Sequence, residues 1–267
     1  LNPSGVITIT TDFGHKGPFA AVMKGVILNR FPAARIVDLI HEIPPQWPPE
    51  AGFWVSLCYR YFPRGTVHLA IVDPGVGTGR DILIAEYDGH WFMAPDNGLL
   101  ARMLDTADDA QVFKLDAGAP GRLGIGTPSA TFHGRDIFAP VAAELAAGRT
   151  TPAQLGIQSR DWVPAWIDEP EVASGRIAGV VVTIDTFGNL ISNIAGRLLE
   201  RFDEPLVQIA GHTFPILTTY GRAKPGDYLA LVNSFGMLEV ARAEGNAAEG
   251  LGAERGAPVT VKEQGPV

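Results

Sequence analysis

The chain has one cysteine in 267 residues, Cys58, so no internal disulfide can form and no cysteine-based metal site can be assembled. Cys58 falls inside an apolar helical pattern and reads as core. Long hydrophobic runs are also missing: no segment reaches the roughly 18 consecutive apolar residues of a membrane helix, and the first residues carry no basic-then-apolar leader pattern. A cytoplasmic protein without a membrane partner is the expectation. Basic clusters are scarce too, with 21 Lys and Arg against 29 Asp and Glu and a formal charge of -8. A protein that tracks a phosphate backbone needs the opposite balance, so no nucleic-acid partner is expected.

Several catalytic signatures do not occur either. There is no G-x-S-x-G nucleophile elbow and no H-x-x-x-H or H-x-x-E-H spacing for zinc. The run G-V-G-T-G-R at 75–80 lacks the lysine and following hydroxyl of a phosphate loop. These absences point away from serine hydrolases, zinc hydrolases and P-loop nucleotide enzymes, and no metal or cofactor is expected.

What is present is a 46% hydrophobic composition, enough for a sizeable core. Apolar runs at 6–10, 35–39, 66–72 and 111–115 read as strands, and 82–87 with 90–94 alternate around Asp88-Gly89 as a hairpin. Helical spacing covers 18–30, 50–62 and 135–147, with Pro48 and Pro49 in a first turn, Gly148 as a stop, and a short helix running from 96 to 104. This alternation predicts an α/β domain over residues 1–165, with a largely parallel sheet flanked by helices. Near Trp162 the style changes to Pro164, Pro170 and acidic residues, and helical periodicity nearly vanishes. Residues 166–267 then read as a linker and a smaller all-β, antiparallel, barrel-like domain, with strands at 176–184, 206–210, 213–217, 228–233, 237–243 and 258–262.

Candidate chemistry sits where strands of the first domain end. Asp12 follows the first strand, where a carboxylate either accepts bonds from a ribose diol or caps the next helix. Asp73 ends the apolar run at 66–72, a glycine-rich turn follows, and Arg80 returns beside it. His133, on a loop before a helix, can complete a carboxylate–guanidinium–imidazole group able to bind and deprotonate a water. The plain alternatives are a turn-forming aspartate, a surface ion pair and a structural histidine. In the second domain I-D-T-F-G-N at 184–189 and N-S-F-G at 233–236 read as polar turns, and together offer an aromatic platform, amides and a carboxylate.

Taken in order, T-T-D-F-G, V-D-P-G-V-G-T-G-R, A-P-D-N-G, F-H-G-R-D, I-D-T-F-G-N and N-S-F-G-x-L-E resemble the S-adenosyl-L-methionine hydroxide adenosyltransferase family, relatives of the fluorinase and chlorinase. The motifs span nearly the whole chain. The resemblance implies a hydrolase that converts S-adenosyl-L-methionine and water into adenosine and L-methionine, in a homotrimer whose sites lie between the N-terminal domain of one subunit and the C-terminal domain of its neighbour. It implies Asp12 on the ribose hydroxyls, Trp47 packing on the substrate, and Thr131 and Phe132 beside the reacting carbon. It further implies Asp185 and Ser234 on the methionine head, and Phe187, Asn189, Tyr220 and Arg242 around the adenine.

The attacking species is the point of divergence within this resemblance. A halide arrives as an anion and needs mainly desolvation, whereas water must lose a proton. In the halogenases an aromatic residue stands in place of Asp73, and small hydroxyl residues stand where Val76 and Gly134 are found here. Asp73, Arg80 and His133 therefore favour water, with either Asp73 or His133 as base. The alternatives are a halogenase, a non-catalytic adenosine-binding module, and a hydrolase of another nucleoside compound.

Overall fold

Val6–Thr11 (β1) is buried along its whole length, as a strand must be when helices cover both faces of its sheet. Its neighbours are Arg35–Ile40 (β2) and Val67–Ile71 (β3), both parallel to it. Ile82–Tyr87 (β4), His90–Pro95 (β5), Gln111–Leu115 (β6) and Gly156–Ser159 (β7) complete a seven-stranded sheet in the order β2-β1-β3-β5-β4-β6-β7. The pairs from β2 to β5 are parallel, and those from β5 through β7 are antiparallel. The β4–β5 hairpin turns at Asp88 (φ 46°) and Gly89 (φ 74°), the left-handed pair that the Asp-Gly dipeptide predicts.

The computed structural model describes residues 1–263 and divides into two units, Leu1–Ile167 and a second beginning at Asp168. In the first, helix α1 (Phe19–Arg30) and the helix Ala139–Ala146 cover one sheet face, packing Met23, Ile27, Val141 and Leu145 against Ile7, Ile9, Val67 and Leu69. Helix α2 (Pro48–Cys58) covers the other, with Ala51 and Val55 against Ala70, Val72 and Phe92. Each fully buried aliphatic side chain contributes roughly 1.5–3 kcal/mol.

Three boundaries differ from the sequence reading. Helix α2 starts at Pro48 and tightens into a 3₁₀ turn at Tyr59–Tyr61. The segment 96–104 is helical only over Ala101–Leu104, because Asp96 and Asn97 are engaged in side-chain bonds. The helix at 135–147 opens with a π-helical turn, Gly134–Phe138, in which Ala139 donates to the Gly134 carbonyl five residues back.

The second unit is an antiparallel sheet of Glu171–Ala173 (β8), Arg176–Ile184 (β9), Leu190–Ala195 (β10), Pro205–Ile209 (β11), His212–Pro215 (β12), Tyr228–Val232 (β13), Met237–Arg242 (β14) and Pro258–Glu263 (β15). Its order is β12-β11-β15-β9-β10-β14-β13, with β8 on β9. Leu217 donates to the Ala230 carbonyl (2.8 Å), bringing the segment after β12 onto β13 and nearly closing the barrel. β7, β8 and β10 went unread in the sequence, the first two for being short and largely unburied, the third because Ser192 and Asn193 interrupt its apolar pattern.

Candidate active site

β3 ends at Ile71, and Asn97 donates from Nδ2 to the Val72 carbonyl at 2.8 Å, fixing the chain one residue before Asp73. The turn then folds Arg80 onto Asp73. Arg80 Nε lies 3.0 Å from each carboxylate oxygen, and its terminal NH2 donates to Oδ2 as well. Within this turn Gly77 adopts φ 77°, and a Cβ there would stand 2.2 Å from the Ala130 carbonyl oxygen. Glycine is therefore required where the turn passes the 129–133 loop.

The same Arg80 NH2 lies 3.1 Å from His133 Nδ1, so the three residues form one connected group. A guanidinium can only donate, which makes Nδ1 the acceptor and leaves the ring proton on Nε2. Burial and the Arg80 charge push the His133 pKa down, and the carboxylates of Asp73 and Asp136 oppose them without reversing the direction. The imidazole is thus held neutral. Arg80 is backed by Phe138, whose ring centre is 5.5 Å from the guanidinium carbon. The loop carrying His133 is strapped by Asp136, which accepts from the Ser129 amide at 2.8 Å and from Arg135. Burial opposes ionisation of Asp136, but the Arg135 bond leads and holds its pKa far below the usual carboxylate range.

Asp73 and His133 line a cleft of about 260 Å³ together with Asp12, Gln46, Val76, Thr131 and Phe132. Arg80 and His133 also line a second cleft, of about 510 Å³, beside Thr78, Asp81 and Thr127. Asp12 is not a helix cap: α1 begins after Pro18 without any side-chain cap. Its Oδ2 instead accepts from the Gln46 amide at 2.9 Å. Phe13, Phe19 and Phe132 pack with ring centres 5.5 to 5.9 Å apart beside it. Trp47 does not join this cleft's lining; it meets Trp166 edge-on at 5.8 Å, and its buried indole nitrogen has no hydrogen-bond partner.

In the second unit a pocket of about 550 Å³ is lined by Asp185, Phe187, Asn189, Tyr220, Ala243, Glu244 and Gly245. Asp185 organises its turn, accepting from the Phe187 and Asn189 amides and from Asn189 Nδ2, each at 2.9 Å. The Tyr220 hydroxyl donates to buried Glu239 at 2.6 Å, and Asn233 Nδ2 donates to the other oxygen at 3.1 Å. Burial, with Asp185 nearby, raises the Glu239 pKa against those two bonds. Ser234 and Arg242 do not line the pocket. Ser234 is exposed on its turn, while Arg242 donates to the Gly226 carbonyl at 3.1 Å and covers the Tyr228 ring at 5.2 Å.

Gln46, Asn97 and Glu239 went unassigned in the sequence reading. Gln46 acts through its backbone, which leaves no residue-type signal. Asn97 and Glu239 lie inside the motifs A-P-D-N-G and N-S-F-G-x-L-E, and a polar residue breaking an apolar alternation at Glu239 was the available clue. Among the described residues no cluster of three or more His, Cys, Asp or Glu could hold a metal ion, and no helix is long and apolar enough to cross a membrane.

Comparison with known proteins places the chain in a family. Residues 7–156 match the SAM hydroxide adenosyltransferase N-terminal domain, and residues 179–260 match the C-terminal domain of the same family. A protein of Thermus thermophilus named (R)-S-adenosyl-L-methionine hydrolase is 38% identical, covering 93% of this chain and 96% of its own. A Salinispora tropica protein of the same name is 38% identical, covering 96% and 97%. A fluorinase of an Actinoplanes species is more distant at 26%, covering 97% and 98%. A solved structure of an uncharacterized conserved protein from Thermotoga maritima superposes with a TM-score of 0.87 at 31% identity, covering 96% of this chain and 99% of that one. The chain belongs to the SAM hydroxide adenosyltransferase family.

Proposed function

We propose that this chain hydrolyses S-adenosyl-L-methionine, including the (R)-sulfonium epimer for which its relatives are named, to adenosine and L-methionine. The observation that carries the reading is the connected group Asp73–Arg80–His133 on the wall of the cleft that holds Asp12, Thr131 and Phe132. A sulfonium leaves as a neutral thioether, so the leaving side needs no acid. The C5′–S bond breaks with its electron pair passing to sulfur, water forms the new C5′–O bond, and the water proton goes to the enzyme. Attack by neutral water creates a protonated alcohol, a far stronger acid than a carboxylic acid, so an ordinary carboxylate suffices as base.

Asp73 is that base. His133 Nδ1 already accepts from Arg80, and the ring is also hydrogen-bonded to the Ser129 backbone, which suits it to shaping the water site rather than taking the proton. Arg80 holds both partners in place and tempers the charge change. Asp12 takes the ribose hydroxyls, Thr131 and Phe132 border C5′, and Trp47 packs at the rim. Phe187, Asn189 and Tyr220 surround the adenine with Arg242 behind Gly245, and Asp185 with Ser234 takes the amino-acid head. The enzyme works in the cytoplasm as a homotrimer in which the N-terminal half-site of one subunit is completed by the C-terminal half-site of a neighbour.

The test is incubation of each sulfonium epimer in ¹⁸O water, with and without fluoride, chloride or bromide. Adenosine carrying ¹⁸O at the 5′ position is expected from at least the (R) epimer. Unlabelled adenosine, or 5′-halogenated adenosine in its place, would overturn the proposal.

A further inference from the structure

The Asp12 loop is held by a chain of side-chain hydrogen bonds. The Phe13 amide donates to Thr11 Oγ at 3.2 Å, spanning Asp12. Thr11 Oγ lies 2.8 Å from His41 Nδ1, and His41 Nε2 lies 2.9 Å from Asp38 Oδ1. Lys24 closes the series on Asp38 Oδ2 at 2.6 Å. A carboxylate can only accept, so Nε2–H donates to Asp38, and in the neutral ring Nδ1 is the acceptor. The Thr11 hydroxyl must then donate to Nδ1, which presents its lone pairs to the Phe13 amide. Thr11 and His41 are buried, at 0% and 2% exposure, so solvent cannot substitute for the link between them, whereas the Asp38 side chain is 40% exposed.

The backbone agrees with the side chains. The Gly14 amide donates to the His41 carbonyl at 2.8 Å, and the Gln46 amide reaches the Asp12 carboxylate. The whole segment 12–14 is thus tied to the segment 41–46.

We infer that Thr11 and His41 are positioning residues that set the Asp12 carboxylate for a vicinal ribose diol. This rests on the reading of Asp12 as the ribose-holding group. Asp12 touches the ligand; His41 acts on it only through Thr11 and the loop backbone. The two nitrogens of His41 have separable jobs. His41→Asn places an amide oxygen near Nδ1 and keeps the link to Thr11, whereas His41→Gln keeps a donor toward Asp38 and loses that link.

The test measures adenosine and 2′,3′-dideoxyadenosine dissociation constants by calorimetry on the full-length protein, for wild type, Asp12→Ala, Thr11→Val, His41→Asn and His41→Gln. Thr11→Val and His41→Gln are expected to bind adenosine roughly tenfold more weakly, the order of one lost charge-assisted hydrogen bond. Their affinity for the dideoxy compound should not change, and His41→Asn should stay within about threefold of wild type on both ligands. If Asp12→Ala weakens adenosine and neither Thr11→Val nor His41→Gln does, the positioning role is wrong while the ribose reading stands. If Asp12→Ala has no effect, both fall. Equal losses on the two ligands would also overturn the inference, since they would mean general damage to the loop. Should Thr11→Val not fold, the contrast between the two His41 variants decides alone.

Discussion

In the N-terminal unit the groups assigned to chemistry are hydrogen-bonded to one another and nearly dry, with the Asp73 and Arg80 side chains 6% and 10% exposed. In the C-terminal unit the aromatic groups assigned to recognition stand open, Phe187 at 75% exposure and Tyr220 at 45%. The two jobs explain the difference. Charges that must act on a developing charge are worth most when prepositioned away from water, whereas a flat aromatic ligand needs a bare ring face on which to stack. Preorganisation in the second unit lies underneath, where Glu239 holds Tyr220 and Asn233, and Asp185 holds its own turn.

That contrast predicts a split between kcat and KM. Asp73→Ala should cost at least about 10³-fold in kcat, in the range of a lost general base together with a released guanidinium, with substrate still bound by calorimetry. Loss of binding as well would make Asp73 a structural residue and erase the contrast. Arg80→Lys should cost about 10²-fold in kcat, because a point charge cannot serve both carboxylate oxygens and the imidazole; steady-state adenosine release reads this. Phe187→Ala should raise KM about tenfold, the scale of one base–aromatic stack, and leave kcat alone. A kcat effect there would show that recognition and chemistry are not separated.

A further expected effect concerns stability and lies away from the clefts. His68 is buried between Thr8 Oγ (2.9 Å) and His90 Nδ1 (3.1 Å). Burial, with the His90 charge second, pushes its pKa from 6.5 down to about 3. Between those values the unfolded chain binds a proton that the folded chain refuses. Stability is therefore complete above about pH 6.5 and falls as pH drops toward 3, by at most about 1.4 kcal/mol per pH unit from this group. Melting temperatures across pH 4–7 should show that slope, and His68→Leu should flatten it even though the variant is less stable overall.

How far the sequence spoke depended on what kind of signal each feature needs. β1, β3 and the Asp88-Gly89 hairpin follow from burial and turn chemistry, which residue type records directly. Asp73 and Arg80 were legible as a pair because one turn joins them. His133 was legible as a candidate, but its contact with Arg80 across 53 positions is a product of tertiary folding. The Gln46 amide on Asp12 could not be read at all, since every residue except proline supplies a backbone donor. Pro18, rather than Asp12, precedes α1 because the loop carboxylate is drawn to the 41–46 segment instead of to the helix.

The π-helical turn at Gly134–Phe138 bears on ancestry as well as geometry. Such a turn holds one residue more than the α-helical count, and it lies between His133 and the helix Ala139–Ala146. Its wider winding takes up that residue locally, so His133 and the buried helix keep the relative facing that an α-helix one residue shorter would give them. A one-residue gain or loss can thus be accommodated beside His133 without unpacking the helix beneath it.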